Sequence, residues 1–582
     1  MTSNLEHPSV AEIIVDSLVR HGVTTVFAQS LPSAVVLAAE ERQIRQFMYR
    51  TENAGTAMAD GYARTSGKVG VVSAQNGPAA TLLVPGLAEA LKASVPVLAL
   101  VQDVVRTQTD RNAFQELDHL ALFQSCTKWV RRVTEPSRVA DYVDMAFTNA
   151  ASGRPGPVAL ILPADLLLEK IPAPTHRSVS LGHYPLDRCS ADPDRLDEAA
   201  KMLAEASNPI IVAGGGVHLS GACDELSRLQ QIAHIPVMTT VMGKGAIDET
   251  HPLSIGMTGY AMAELSPTHY MRSIIDGADV ILLVGTRTNQ NGTDSWTLYP
   301  QGSRYIHIDI DGGEVGRNYE AVRLVGDAKL TLAALCDRLA GARDADPEIV
   351  RKISEARAMH RLEISELLHS NAVPIRPERI VNDMREVLTP DTIVVADASY
   401  ATLWTTCYLP SLRSGMRFLT PRGLAGLGWG LPLAIGAKVA NPDSPVLCMV
   451  GDGGFAHVWS ELETAARTRT PVVISVLNNG CLAYQKDAED VKFGRHSTGC
   501  YFSPVDHAAI ARASGCRGVR IDRPDDYLPA LREAMSRADT TVLDIMIDPA
   551  AYPPITFFQK LDSVRAARES TGSTRSSNRS RT

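Results

Sequence analysis

The sequence predicts an α/β fold of three domains, each a mostly parallel sheet flanked by helices. Two observations predict it. Short runs rich in Val and Ile recur along the chain, separated by Gly-rich turns and amphipathic helical segments, which is the pattern of strands buried on both faces. At 582 residues the chain is also too long for one core, and two linker-like stretches divide it.

The predicted strands are Val69–Ala74, Val95–Val101, Val158–Leu162, Ile210–Val212, Val280–Val284, Tyr305–Ile310, Thr392–Val395, Val446–Val450, Val472–Leu477 and Val542–Ile547. Among the helices, Val10–His21 places Val10, Ile13, Ile14 and Leu18 on one face and stops at Gly22. Strands alternating with helices give parallel sheets. The linkers are Ile171–Arg195, with prolines and little periodicity, and Asp344–Pro377, which holds a polar helix. Cutting there gives expected domains at 1–175, 190–343 and 372–555. Residues 563–582 are Ser- and Arg-rich with nothing apolar to bury, so a disordered tail is expected.

A formal charge of −8, without a dominating basic cluster, argues against a nucleic-acid partner. No apolar run is long enough to cross a bilayer, and the N-terminus lacks a signal pattern. The nine cysteines are scattered singly, so the expectation is a reduced, cytoplasmic protein.

The most informative segment is Val446–Asn479. One predicted strand ends in Gly451-Asp452-Gly453-Gly454, a helix is expected at roughly His457–Arg469, and a second strand ends in Asn478-Asn479, 24 residues after the Gly-Asp-Gly. In parallel sheets, ligands gather at the carboxyl ends of strands. A carboxylate and an amide oxygen there are hard donors suited to Mg²⁺ shared with a phosphate. Gly453 and Gly454 let backbone approach that phosphate at a helix N-terminus. A lone Gly-Asp-Gly makes ordinary turns; the spaced pair of strand ends is far more specific.

This spacing resembles that of thiamine-diphosphate (ThDP) enzymes. The resemblance implies that Asp452, the Asn479 side chain and the Cys481 carbonyl hold Mg²⁺, which anchors the diphosphate. Arg50-Thr51-Glu52-Asn53-Ala54, running into Met58-Ala59-Asp60-Gly61-Tyr62, resembles the glutamate segment of the family's pyrimidine-binding domain. Read alone, Glu52 is an acid in a helix's first turn, where it complements the dipole. By the resemblance its carboxylate bonds N1′ of the aminopyrimidine, so that N4′ takes the thiazolium proton. That role calls for apolar surroundings that raise its pKa. The family also implies a homodimer or homotetramer, with Glu52 of one chain serving the cofactor held at Asp452 of another.

Gly423-Leu424-Ala425-Gly426-Leu427-Gly428-Trp429-Gly430 resembles the segment that bends the cofactor. It implies Leu427 between the two rings, where acetohydroxyacid synthases place a methionine, and Ala425 at the pyrimidine edge. The resemblance covers about residues 5–550 and is strongest to the catalytic subunit of those acetohydroxyacid (acetolactate) synthases. Supporting stretches include Asn76-Gly77-Pro78, Phe114-Gln115-Glu116 and Gly153-Arg154-Pro155-Gly156. They imply an active-site role for Gln115, and Gln485 falls where pyruvate decarboxylases carry a catalytic glutamate.

Departures bear on substrate. Asp397-Ala398-Ser399-Tyr400 replaces a Gly-Gln-His pattern, leaving Ser399 and Tyr400 at the diphosphate, and Ala488 stands where the synthases have a tryptophan. In the middle domain Gly214-Gly215-Gly216 and Gly285-Thr286-Arg287 resemble FAD-contacting segments, but Thr288-Asn289-Gln290 replaces Phe-Asp-Asp. FAD, another nucleotide or neither remain open. The expected activity is ThDP- and Mg²⁺-dependent decarboxylating carboligation of a small-molecule 2-keto acid. The alternative is a lyase or decarboxylase acting on another 2-keto, 2-hydroxy ketone or acyl-CoA substrate. The polar Lys486–Ser503 segment is expected to act as a lid.

Overall fold

The structure, a computed structural model, describes residues 7–566. Eighteen strands form three six-stranded sheets, every pairing within them parallel. The first holds β1 (Thr25–Ala28), β2 (Arg45–Phe47), β3 (Gly70–Ala74), β4 (Val97–Asp103), β5 (Trp129–Arg132) and β6 (Val158–Pro163). The second holds β7 (Pro209–Ala213), β8 (Val237–Thr239), β9 (Ser254–Met257), β10 (Val280–Val284), β11 (Arg304–Asp309) and β12 (Ala321–Val325). The third holds β13 (Ile393–Ala396), β14 (Phe418–Leu419), β15 (Val446–Gly451), β16 (Val473–Asn478), β17 (Arg517–Ile521) and β18 (Thr541–Met546).

The spatial orders are β2-β1-β3-β4-β6-β5, β12-β11-β10-β7-β8-β9 and β14-β13-β15-β16-β18-β17. The first and third sheets therefore share one topology, and the second is wound differently. Each order reverses direction between two neighbouring strands: β1/β3, β7/β10 and β13/β15. At such a switch point the connections leave to opposite sides, opening a crevice beyond the strands' carboxyl ends.

The first and third domains share one buried cluster, running from Phe47, Met58 and Leu87 to Leu433, Ile435, Val450 and Ile474. Its centre is a pair of helices, Glu52–Ser66 and Gly430–Ala440, that meet backbone to backbone. A Cβ on Gly61 would stand 2.3 Å from the Leu433 carbonyl oxygen, and one on Gly436 only 1.9 Å from that of Met58. Since 61 faces 433 and 58 faces 436, the helices run antiparallel. Glu52, starting the first, thus lies far from Gly430, starting the second, by about 18 Å along their common axis at 1.5 Å per residue. The middle domain has separate cores around Leu282 and Ile308 and around Ile281 and Leu283.

Several expectations need adjustment. The helix expected at roughly His457–Arg469 is found at Glu461–Thr468, preceded by a separate short helix, Asp452–Ala456, because the chain turns helical directly at the strand end. The Lys486–Ser503 segment begins as core rather than cover: Lys486 and Asp487 are buried within the helix Ala483–Phe493. Of the tail expected to be disordered, residues 563–566 are helical, Arg565 bonds Asp487 at 2.7 Å, and 567–582 lie outside the described residues. All nine cysteines are free. Among the described residues, no helix is long and apolar enough to cross a membrane.

Candidate active site

The β13/β15 switch point opens into a cavity of about 470 Å³. Asp452, Gly453, Gly454, Asn479, Cys481, Ser399, Tyr400, Ala425, Leu427 and Gln485 all line it. Asp452 opens its helix directly off β15, and its carboxylate accepts the Gly480 N–H at 2.8 Å. The Asn479 amide oxygen accepts the Cys481 N–H at 3.2 Å. Asp452 is buried, burial pushes its pKa up to about 6, and no cationic side chain pairs with it among the described residues. A buried carboxylate held only by backbone amides is uncompensated charge. An amide oxygen beside it completes a donor set of hard oxygens that fits Mg²⁺. Beside it no side chain fits on Gly454, where a Cβ would meet an Asp397 oxygen at 2.4 Å.

Two buried carboxylates hold the Gly-rich segment over this cavity. Asp397 accepts N–H groups from Ala398, Gly428 and Trp429 at 2.8, 3.0 and 3.1 Å. Glu89, on the first-domain helix Pro78–Ala93, accepts those of Gly423 and Leu424, both at 2.6 Å. Ala425 takes φ +62° and Gly428 φ +87°, which turns the chain so that Leu427 reaches into the cavity. Sequence reasoning missed both carboxylates. Asp397 carried a usable signal, an acid ending a Val-rich run as Asp452 does; Glu89 carried none.

Glu52 and Gln115 lie elsewhere, at the carboxyl edge of the first sheet. Thr51 caps the Glu52 helix by accepting the Ala54 N–H, and Glu461 from the third domain accepts the Arg50 and Thr51 N–H groups, both at 3.1 Å. Glu52 is 7% exposed, and burial raises its pKa. Gln115 sits at φ +61°; Asn76 donates to its carbonyl at 3.0 Å, and a Cβ on Gly77 would stand 2.8 Å from its Cβ. The Gln115 amide oxygen is buried without a partner. Neither residue lines the cavity that holds Asp452.

Three family models match along the chain: the N-terminal TPP binding domain of thiamine pyrophosphate enzymes at residues 8–122, their central domain at 196–335, and their C-terminal TPP binding domain at 397–545. The chain belongs to the ThDP (thiamine pyrophosphate) enzyme family. A probable acetolactate synthase large subunit of Methanocaldococcus jannaschii is 35% identical over 564 residues, covering 94% of this chain and 93% of that one. One from Methanococcus aeolicus is 34% identical, covering 93% and 92%. The acetolactate synthase isozyme 3 large subunit of Escherichia coli is 30% identical, covering 94% and 96%.

Within this ThDP enzyme other residues also bear on the site. Ser399, at φ +67°, opens the helix Tyr400–Tyr408, while the Tyr400 hydroxyl is engaged by Asp487 at 2.6 Å, so only its ring faces the cavity. Gln485 is exposed at the mouth, donating to Glu489 at 2.9 Å. Ala488 is buried in the third-domain core and does not line the cavity.

The middle domain's switch point opens a second cavity of about 330 Å³ beside Gly215, Gly216, Gly285, Arg287 and Asp309. Backbones there nearly touch: a Cβ on Gly216 would lie 2.7 Å from the Gly285 Cα. Arg287 forms no ion pair or hydrogen bond among the described residues, which leaves a cation facing the cavity.

Proposed function

We propose that this chain is a ThDP- and Mg²⁺-dependent carboligase of the acetolactate synthase type. A 2-keto acid donor such as pyruvate loses CO₂, and the remaining acyl unit is joined to the carbonyl carbon of a second substrate. The observation that carries this is the Asp452–Asn479 oxygen pair beside Leu427 in one crevice, with the full-length likeness to acetolactate synthase large subunits in support.

When bound, ThDP supplies the electron sink that lets the donor lose CO₂. Asp452, the Asn479 amide and the Cys481 carbonyl hold Mg²⁺ against the diphosphate. Gly453 and Gly454 admit the phosphates, the amides at Ser399 and Tyr400 face them, and Leu427 bends the cofactor while Ala425 meets the pyrimidine edge. Glu52 shares a proton with the pyrimidine. Its distance from Asp452 within one chain supports a homodimer or homotetramer in which Glu52 comes from a neighbouring copy. Gln115 reaches the substrate from that same side, and Gln485 from the mouth. The second cavity takes a nucleotide, FAD by the likeness to the synthases, with Arg287 facing a phosphate.

The test is product analysis after feeding pyruvate with ThDP and Mg²⁺. Acetolactate supports the carboligase. Acetaldehyde alone makes the chain a decarboxylase, and no turnover of any 2-keto acid moves it to a lyase of 2-hydroxy ketones or acyl-CoA substrates. Mass spectrometry of the released cofactors reads the nucleotide.

A further inference from the structure

Between the two cavities stands a cation with no counter-charge. Arg422 lines both of them and immediately precedes the Gly-rich segment that carries Leu427. One Nη donates to the Tyr260 hydroxyl at 2.8 Å, while its Nε is buried with no acceptor. No carboxylate pairs with it among the described residues. The two acids that line the third-domain cavity with it are otherwise engaged: Asp397 binds three backbone amides and Asp452 binds that of Gly480. The same cavity wall carries four aromatic side chains, Tyr260, Tyr400, Trp404 and Tyr484.

A buried guanidinium N–H without an acceptor carries a desolvation cost that a bound anion relieves. The guanidinium's planar fork matches a carboxylate, and a poorly solvated wall strengthens the contact. We infer that Arg422 binds the carboxylate of the acceptor substrate and so selects a 2-keto acid as the second carbonyl compound. This rests on the carboligase reading above. The chemistry picks the acceptor over the donor. The donor's carboxylate departs as CO₂, and an arginine that held it tightly would oppose that loss. The acceptor keeps its carboxylate throughout: its carbonyl carbon gains the new C–C bond, and its carbonyl oxygen takes a proton and becomes a hydroxyl.

The experiment is a competition on the ThDP- and Mg²⁺-loaded protein, with pyruvate as donor and pyruvate against propanal as acceptors. The acetolactate-to-hydroxyketone ratio is read at each variant's own rate of CO₂ release, so a general loss of activity does not move it. Arg422→Gln should lower the ratio by about 10- to 100-fold, the span of a charge-assisted hydrogen bond. Arg422→Lys should restore most of it, and Tyr260→Phe should shift it only a few-fold. Calorimetry with oxamate, a pyruvate-shaped carboxylate that is not decarboxylated, should show weaker binding to Arg422→Gln in the same proportion. A ratio and an oxamate affinity within twofold of the parent in Arg422→Gln would overturn the assignment. Loss of a bound nucleotide at an unchanged ratio would do so too, placing Arg422 on the second cavity's ligand. A parent protein that makes no acetolactate would instead sink the carboligase reading itself.

Discussion

The first and third domains wind their strands in the same order, yet the two crevices at their switch points carry different chemistry. In the third, β15 and β16 lead directly into Asp452 and Asn479, a buried carboxylate and a half-buried amide that line one cavity, and among the described residues no cation pairs with Asp452. In the first, the corresponding edge presents Glu52, a buried acid with a raised pKa, and Gln115 on a left-handed turn. One strand order thus carries two different sets of side chains, decided by the residues that follow the strand ends and not by the fold. The domains also hold each other's loops. Glu461 of the third grips the backbone just ahead of Glu52, and Glu89 of the first grips the backbone ahead of Leu427. Each half of the proposed site is thus positioned by a buried carboxylate from the other domain.

The largest expected effect separates activation from anchoring. Glu52→Gln should lower kcat by about 10²- to 10⁴-fold, the range for losing a general acid–base group, while ThDP still binds. Asp452→Ala should do the reverse, weakening Mg²⁺-dependent ThDP binding by about 100-fold or more in a cofactor titration. A Glu52→Gln protein that turns over like its parent, or an Asp452→Ala protein with parental affinity, removes the contrast between the two crevices.

A smaller effect tests the joint between them. Gly436→Ala drives a methyl into the Met58 carbonyl, where 1.9 Å is available, and should cost about 1–3 kcal/mol in denaturant unfolding, as overpacking does. Gly494→Ala, at a site with open space around it but φ +68°, is the comparison for pure backbone strain. Equal losses would mean that the helix contact contributes nothing special.

The smallest effect concerns the middle domain, which lacks the shared core. Burial pushes the His307 pKa down to about 4, from an ordinary 6.5. Between those values the unfolded chain binds the proton and the folded chain does not, so the contribution is fully present above pH 6.5 and is lost as pH falls toward 4. The melting temperature should fall from pH 7 to pH 5, and His307→Gln should flatten that slope. Parallel slopes for parent and variant would assign the acid sensitivity elsewhere.

Most interior strands were legible because both faces are buried and their sequences are unbroken apolar runs, and Val280–Val284 was read with its bounds intact, whereas β1 and β8, interior and buried too, are only four and three residues long and went unread. The outer strands were not. β2 (Arg45–Phe47) and β17 (Arg517–Ile521) mix exposed polar with buried residues, and β14 has two residues. The cavity group around Asp452 was legible because strand ends in parallel sheets converge, which makes a spacing in sequence into a place in space. Glu89, Glu461 and Arg422 were invisible for the opposite reason: each acquires its meaning from a partner more than a hundred residues away. The antiparallel helix pair that separates Glu52 from Asp452 likewise exists only once Gly61 meets Leu433.

In the proposed reading that separation makes the site a shared one, and mixing two disabled proteins tests it directly. Glu52→Gln and Asp452→Ala chains, each inactive alone, are co-expressed so that hybrid dimers form. In such a hybrid one interface combines the intact Glu52 of one copy with the intact Asp452 of the other. Random pairing should then restore about a quarter of parental activity, since half the dimers are hybrids and each has one of two sites intact. Verified hybrids with no more activity than either variant alone would contradict the account, because a site built within one chain leaves every copy defective.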